Sequence, residues 1–303
     1  MNKINGLIAA TFAAFKADGS IDLESIPSYV DMLINQKVVG VFICGTNGEG
    51  PSLSTEERMQ ITERYLECVA GRILVLVHVG HSSIEEARKL ATHAELNGAD
   101  YISSVSAFYF KPSSAQNLVD CMANIASAAP KTPFFYYHIP AVTGIQLDLI
   151  EFLTLAEAQI PTLAGIKYTA STIHEYQACL NYKNRKYDIL FGYDELLLPA
   201  LAVGAKGAIG STYNYAAKLY NKVVQLFHEG KHEEAEKLHF KAVEMIRLLV
   251  KYGPIPTQRA IMEKTGVFLG NSRLPLANLS QENISNLYKE LEYSEFLDIV
   301  ASC

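Results

Sequence analysis

Apolar, β-rich runs recur along this chain with amphipathic helical stretches between them: Leu7 to Phe15, Val38 to Cys44, Ile73 to Val79, Tyr101 to Ser106, Pro133 to Ile139, Leu163 to Thr169, Tyr187 to Tyr193 and Gly207 to Thr212. The stretches between them space apolar residues by three and four, as in Ile84, Ala87, Leu90, Ala91 and Ala94, and start signals such as Ser54-Thr55-Glu56-Glu57 open several of them. A helix between every pair of strands implies a parallel sheet, and eight such units in series imply its closure. The expected fold is therefore α/β, a (β/α)8 TIM barrel, with an open doubly wound sheet as the alternative. A length of 303 residues with 49% hydrophobic content suits one such barrel.

The eighth unit's helix, roughly Tyr215 to Glu229, ends at Gly230, and residues 231–303 keep helical periodicity without a strand signal. Breaks at Gly253-Pro254-Ile255-Pro256 and Leu274-Pro275 divide this tail into three helices. The expected organisation is a barrel over 1–230 carrying the site and a C-terminal three-helix appendage over 231–303 packed on it, as a single structural unit.

A net charge of −6 offers no basic face to nucleic acid or to an anionic membrane. The start, Met1-Asn2-Lys3-Ile4-Asn5-Gly6, lacks the pattern of a signal peptide, and no apolar run approaches the length of a membrane span. The five cysteines are scattered without a Cys-x-x-Cys, which suggests neither a disulfide frame nor a zinc site. A soluble cytoplasmic protein is expected. His78 with His81, and His228 with His232, lack a carboxylate partner in the pattern and read as solvated or locally bonded rather than as metal ligands.

The residue most at odds with its surroundings is Lys167, near the end of the apolar run Leu163-Ala164-Gly165-Ile166-Lys167-Tyr168-Thr169. Burial disfavours an ammonium, so a lysine held there drops its pKa towards neutrality and offers a free amine to a carbonyl, as a Schiff-base nucleophile must. The alternative is a strand-end lysine whose head reaches solvent. Neighbours on a strand point to opposite faces, so Lys167 and Thr169 share one face, which is the barrel interior if Ile166 packs on the outer helices.

Other polar residues gather at the carboxyl ends of the strands, where this fold keeps its chemistry. Strand two runs into Gly45-Thr46-Asn47-Gly48-Glu49-Gly50 and strand four into Ser106-Ala107-Phe108-Tyr109. Strand five carries Tyr136-Tyr137-His138, strand seven ends in Gly192-Tyr193-Asp194-Glu195, and strand eight ends in Gly210-Ser211-Thr212. The glycine spacing after strand two matches neither a dinucleotide fingerprint nor a P-loop. Either its N–H groups and the Thr46 hydroxyl converge on a carboxylate, or it is a plain βα turn whose glycines supply positive φ. Asp194 and Glu195 would repel a phosphate and accept hydrogen bonds from hydroxyls, unless Asp194 caps the next helix. Tyr137, a poor base alone, can relay protons beside a lysine-derived imine; otherwise it is one more barrel tyrosine.

In that order, and on strands two, five and six, Gly45-Thr46-Asn47-Gly48-Glu49, Tyr137-His138-Ile139-Pro140 and Gly165-Ile166-Lys167 resemble the signatures of the dihydrodipicolinate synthase and N-acetylneuraminate lyase superfamily. The resemblance covers nearly the whole chain. The stretches Tyr136 to Ala141, Phe191 to Glu195 and Gly210 to Tyr215 resemble its N-acetylneuraminate lyase branch, and Ala141-Val142-Thr143 stands where the synthases usually carry an arginine for a second carboxylate.

The resemblance implies that Lys167 forms an imine with pyruvate and that Tyr137 shuttles protons. It implies that Thr46 and Asn47 bind the pyruvate carboxylate, largely through backbone N–H groups, and that Asp194, Glu195, Gly192, Thr169 and Ser211 hold sugar hydroxyls. Tyr109 is implied to reach across a subunit interface in a homotetramer. The implied activity is reversible aldol cleavage of N-acetylneuraminate, a sugar acid, to pyruvate and N-acetylmannosamine, with no metal and no cofactor beyond the covalent lysine imine. Competing readings keep the imine and change the acceptor, as in a dihydrodipicolinate synthase or a 2-keto-3-deoxy sugar acid aldolase, or drop catalysis for a sugar-acid sensor.

Overall fold

Eight parallel strands close into a barrel in chain order, each hydrogen-bonded to the next and β8 to β1. They are β1 (Gly6–Ala10), β2 (Gly40–Ile43), β3 (Leu74–His78), β4 (Tyr101–Val105), β5 (Phe134–His138), β6 (Leu163–Tyr168), β7 (Asp188–Phe191) and β8 (Gly207–Gly210). The computed structural model describes residues 3–303; Met1 and Asn2, which open the stretch read above for a leader, lie outside them. No helix among the described residues is long and apolar enough to cross a membrane.

Alternation along the strands sorts the apolar residues into two layers. Ile8, Ala10, Phe42, Leu76, Phe135, Tyr137, Leu190 and Ile209 fill the barrel's interior. Their neighbours, among them Ala9, Val41, Ile43, Val75, Tyr136, Ile166, Tyr168, Ile189 and Phe191, pack with the surrounding helices in the outer core. Between β5 and β6 the register shifts, so that Phe134 opposes Leu163 while Phe135 opposes Gly165. This extra residue on β6 sets the phase in which Tyr137 opposes Lys167 and Lys167 opposes Leu190. Ile166 therefore lies in the outer layer and Lys167 faces inward, as alternation predicts.

The outer helices use the expected start chemistry. Ser54 caps the helix Thr55–Val69 in a full capping box with Glu57, while Ser83, Ser114 and Asp148 cap the helices beginning at Ile84, Ala115 and Leu149. The run Leu7 to Phe15 is shorter as a strand than its composition suggests. After Ala10 the chain leaves the barrel, and Phe15 donates its N–H to Leu269 at 2.9 Å, a bond to the tail instead of to a neighbouring strand.

The tail differs from the three helices expected. Among the described residues it forms four: His232–Tyr252, Pro254–Lys264, Gln281–Tyr293 and Phe296–Ser302. Gly253 and Pro254 make the anticipated break. The unanticipated one is at Glu295, whose left-handed φ of 54° separates the last two helices without a glycine or proline to mark it.

Candidate active site

Lys167 is 3% exposed, and its Nζ lies 3.8 Å from the centroid of the Phe42 ring and 3.9 Å from that of Tyr137. Burial between two rings strips water from the amine and brings its pKa down to about 7, with the Asp194 carboxylate opposing the fall. The same burial pushes the Tyr137 phenol up to about 12, against a hydroxyl contact of 3.3 Å from Thr46 Oγ1 to its Oη. At neutral pH the site thus holds a lysine with a large share of free amine beside a phenol that keeps its proton.

Both rings are braced from below. His78, fully enclosed, stands edge-on to Tyr137 with centroids 5.8 Å apart. Its Nε2 accepts the Val105 N–H at 3.3 Å, so Nδ1 carries the proton and donates to the Cys44 carbonyl at 3.1 Å. Burial, and then the nearby Arg58 guanidinium, hold its pKa well below the ordinary value. His78 is a neutral strut, and His81 accepts the Ser83 N–H at 2.9 Å.

The loop after β2 is pinned from the far end of the chain. Glu49, buried, pairs with Arg259 of the helix Pro254–Lys264 at 2.5 Å, and its other oxygen accepts the Arg273 N–H at 2.9 Å. Arg259 also donates to the carbonyls of Ala13 and Leu269, so one guanidinium ties the loop, the β1 exit and the tail together. The positive φ values here fall on Cys44 (56°) and Glu49 (49°), not on the glycines. The glycines serve close approach instead: a Cβ on Gly50 would strike the Cys44 carbonyl oxygen. Among the described residues the N–H groups of Thr46 and Asn47 have no partner, which leaves two donors for an anion.

Opposite this loop, Asp194 does not cap the helix that follows it. Its Oδ2 accepts the Thr212 N–H at 2.8 Å and the Thr212 hydroxyl at 2.6 Å. Burial raises its pKa to about 6, against the two Thr212 bonds, and burial also raises that of Glu195. The buried Thr169 Oγ1 and Asp194 Oδ1 have no partner in hydrogen-bonding geometry, although Thr169 lies close enough to Tyr137, and Asp194 to Tyr213, to bear on each phenol's pKa.

A cavity of about 320 Å³ brings these groups together. Thr46, Asn47, Tyr137, Lys167, Thr169, Gly192, Asp194, Glu195 and Ser211 all line it; Lys167 is the one basic residue of its wall among the described residues. Tyr109 does not join them. It is 78% exposed, stacked edge-on against Phe110 in the loop after β4. The residues that sequence reading missed are Arg259, Gln258, Thr212 and His239. Gln258, buried in the tail, reaches the cavity wall with its Oε1 accepting the Tyr215 hydroxyl at 3.2 Å. Three of the four lie beyond residue 230, in a stretch read only for its helical period.

A closed barrel with a buried amine where its strands end defines a (β/α)8-barrel enzyme. The chain belongs to the Dihydrodipicolinate synthetase family, which it matches over residues 3–294. It is 39% identical over 295 residues to an N-acetylneuraminate lyase of Gallus gallus, with 96% of each chain covered. Among solved structures it superimposes on the N-acetylneuraminate lyase of Aliivibrio salmonicida with a TM-score of 0.96 at 38% identity, over 98% of this chain and 99% of that one. The Proteus mirabilis N-acetylneuraminate lyase gives a TM-score of 0.95 at 37% identity, over 98% and 100%.

Proposed function

We propose that this protein is a class I aldolase that reversibly cleaves N-acetylneuraminate to pyruvate and N-acetylmannosamine. The observation that carries the reading is the Lys167 amine, brought to a pKa of about 7 at the wall of a cavity with hydroxyl-accepting carboxylates opposite. The likeness to N-acetylneuraminate lyases along nearly the whole chain supports it.

In the cleavage direction the free amine adds to the C2 ketone of the open-chain sugar acid, and loss of water gives a protonated imine. Thr46 and Asn47 hold the adjoining carboxylate with their free N–H groups. The C4 hydroxyl gives up its proton, the C3–C4 electron pair moves to the iminium, and N-acetylmannosamine leaves as the aldehyde. The enamine then takes a proton at C3, and water releases pyruvate from Lys167. Tyr137 is the relay. Its phenol is a weak acid in the free site, but a fixed iminium beside its ring favours the phenolate and lets it take a proton. Asp194, Glu195, Thr169, Ser211 and the open edge at Gly192 receive the sugar's hydroxyls. The imine supplies the electron sink, so the reaction needs no separate cofactor.

Ala141 and Val142 line the cavity where an arginine would serve a second carboxylate, which favours a sugar acceptor over that of a dihydrodipicolinate synthase. In this reading the working form is a cytoplasmic homotetramer with Tyr109 at a subunit interface, and the exposed Phe108, Tyr109 and Phe110 offer apolar surface to a neighbouring subunit. Light scattering that found a monomer would reject that part.

The deciding experiment is borohydride trapping with pyruvate, followed by peptide mapping. A reduced pyruvyl adduct on Lys167 is expected; an unlabelled Lys167 ends this account.

A further inference from the structure

Asp194 is held on two sides by residues from different parts of the chain. Its backbone carbonyl lies 3.2 Å from His239 Nε2, on the helix His232–Tyr252, and its Oδ2 takes both Thr212 bonds. The hydroxyl of Thr212 has one proton and gives it to the carboxylate, so its 2.9 Å contact with Tyr220 Oη is one in which Tyr220 donates. The order is therefore Tyr220 to Thr212 to Asp194. Thr212, Tyr220 and His239 are all buried. On β8, Gly210 leaves room for this arrangement, because a Cβ there would overlap the Asp194 carboxylate.

The result is an asymmetric carboxylate. Oδ2 is saturated by two donors, while Oδ1, equally buried, has no bonded donor, and the Tyr213 hydroxyl beside the carboxylate is likewise unpartnered. A buried carboxylate oxygen without a donor is costly, and a cavity-wall position lets a ligand supply it. A hydroxyl is a donor of the right kind, and a second carboxylate is not.

We propose that Thr212 is a positioning residue for substrate recognition: backed by Tyr220, it fixes Asp194 so that Oδ1 alone accepts a hydroxyl of the sugar portion. This rests on the sugar-acid reading of the cavity. The rival explanation is that the Thr212–Asp194 contact merely staples the loops after β7 and β8, in which case its loss would disturb the whole site rather than one end of it.

The test compares Thr212→Val, which keeps the N–H and shape but removes the hydroxyl, with Thr212→Ser, which restores it. Two readings are taken on each variant: steady-state cleavage of N-acetylneuraminate, and borohydride trapping of pyruvate at Lys167. The expected result is a KM raised by about tenfold in the valine variant, with kcat changed by less than about threefold. Pyruvate trapping should match the parent protein, and the serine variant should recover most of the KM. An unchanged KM, a loss of trapping in step with cleavage, or no recovery with serine overturns the proposal. Should Thr212→Val not fold, Tyr220→Phe removes the donor behind Thr212 and should raise KM by about threefold with trapping intact; an unaltered KM there overturns it equally. A parent protein that fails to trap pyruvate refutes the imine reading itself, which separates the two failures.

Discussion

Lys167 and Tyr137 are register partners on adjacent strands, and the lysine nitrogen lies 3.9 Å from the centre of the tyrosine ring. The pairing puts the proposed nucleophile and the proposed proton relay on one inward face without any loop to position either, so their relation is fixed by the sheet itself. In the proposed mechanism the imine forms without the phenol, whereas carbon–carbon cleavage requires it. Tyr137→Phe should therefore lower turnover of N-acetylneuraminate by about 10²–10³-fold while pyruvate trapping at Lys167 persists. Equal losses in both assays would show that the hydroxyl supports the lysine rather than the cleavage step.

The amine's pKa sets a second expectation. A folded-state value of about 7 means that the reactive free base grows as pH rises through that value and levels off above it. Pyruvate trapping measured from pH 5.5 to 9 should rise by about tenfold per unit below 7 and flatten above it. A midpoint near the ordinary lysine value of 10.5 would mean that the amine is hydrated in solution.

How much of this was legible in the chain depends on how local each signal is. The inward, buried place of Lys167 was legible because an apolar strand and its alternation are read from six or seven adjacent residues. The same holds for Asp194 and Glu195, whose place at a strand end follows from the strand count. Glu49 was visible only as part of a glycine-rich turn, since its meaning depends on Arg259, more than two hundred positions away in sequence. Thr212 stood in the right strand end but looked like any small polar residue until its two bonds to Asp194 were seen. The break at Glu295 left no trace because a left-handed glutamate has no composition signal, unlike the Gly253-Pro254 break.

Gly192 offers a steric test of the wall between the lysine and the sugar end. A Cβ there would overlap Thr169 Oγ1 and crowd the Tyr168 carbonyl at 2.9 Å. Gly192→Ala should displace Thr169 and lower kcat/KM for N-acetylneuraminate by about tenfold, with the fold kept. A crystal structure of the variant showing Thr169 unmoved, together with unchanged kinetics, would contradict this.

The buried pair of Glu49 and Arg259 predicts a coupled loss. In Glu49→Gln the guanidinium stays buried without its counter-charge, a defect that costs on the order of 3 kcal/mol. Chemical denaturation should register that loss. Because the same carboxylate holds the loop carrying Thr46 and Asn47, the KM for pyruvate in the synthesis direction should rise as well. Destabilisation without a change in KM would mean that the loop keeps its shape unaided.

Lys167 itself should be a burden on stability, and the burden should depend on pH. Its folded pKa of about 7 lies below the ordinary 10.5, so between these values the unfolded chain holds a proton that the folded protein lacks. Stability then rises with pH across that window, and the lysine's penalty is full below about 7 and gone above about 10.5. At about 1.4 kcal/mol per pH unit across that window the penalty is on the order of 5 kcal/mol. Lys167→Met removes the ionisable group and fills similar space between Phe42 and Tyr137. The variant should be inactive yet more stable than the parent at pH 6–7, by up to about 5 kcal/mol in denaturant unfolding, with the gap closing as pH approaches 10. The other titrating groups are shared and cancel in the comparison, except Asp194 and His78, whose charges couple to Lys167. A gap of constant size across this range would mean that the ammonium is as well solvated in the folded protein as in the unfolded chain.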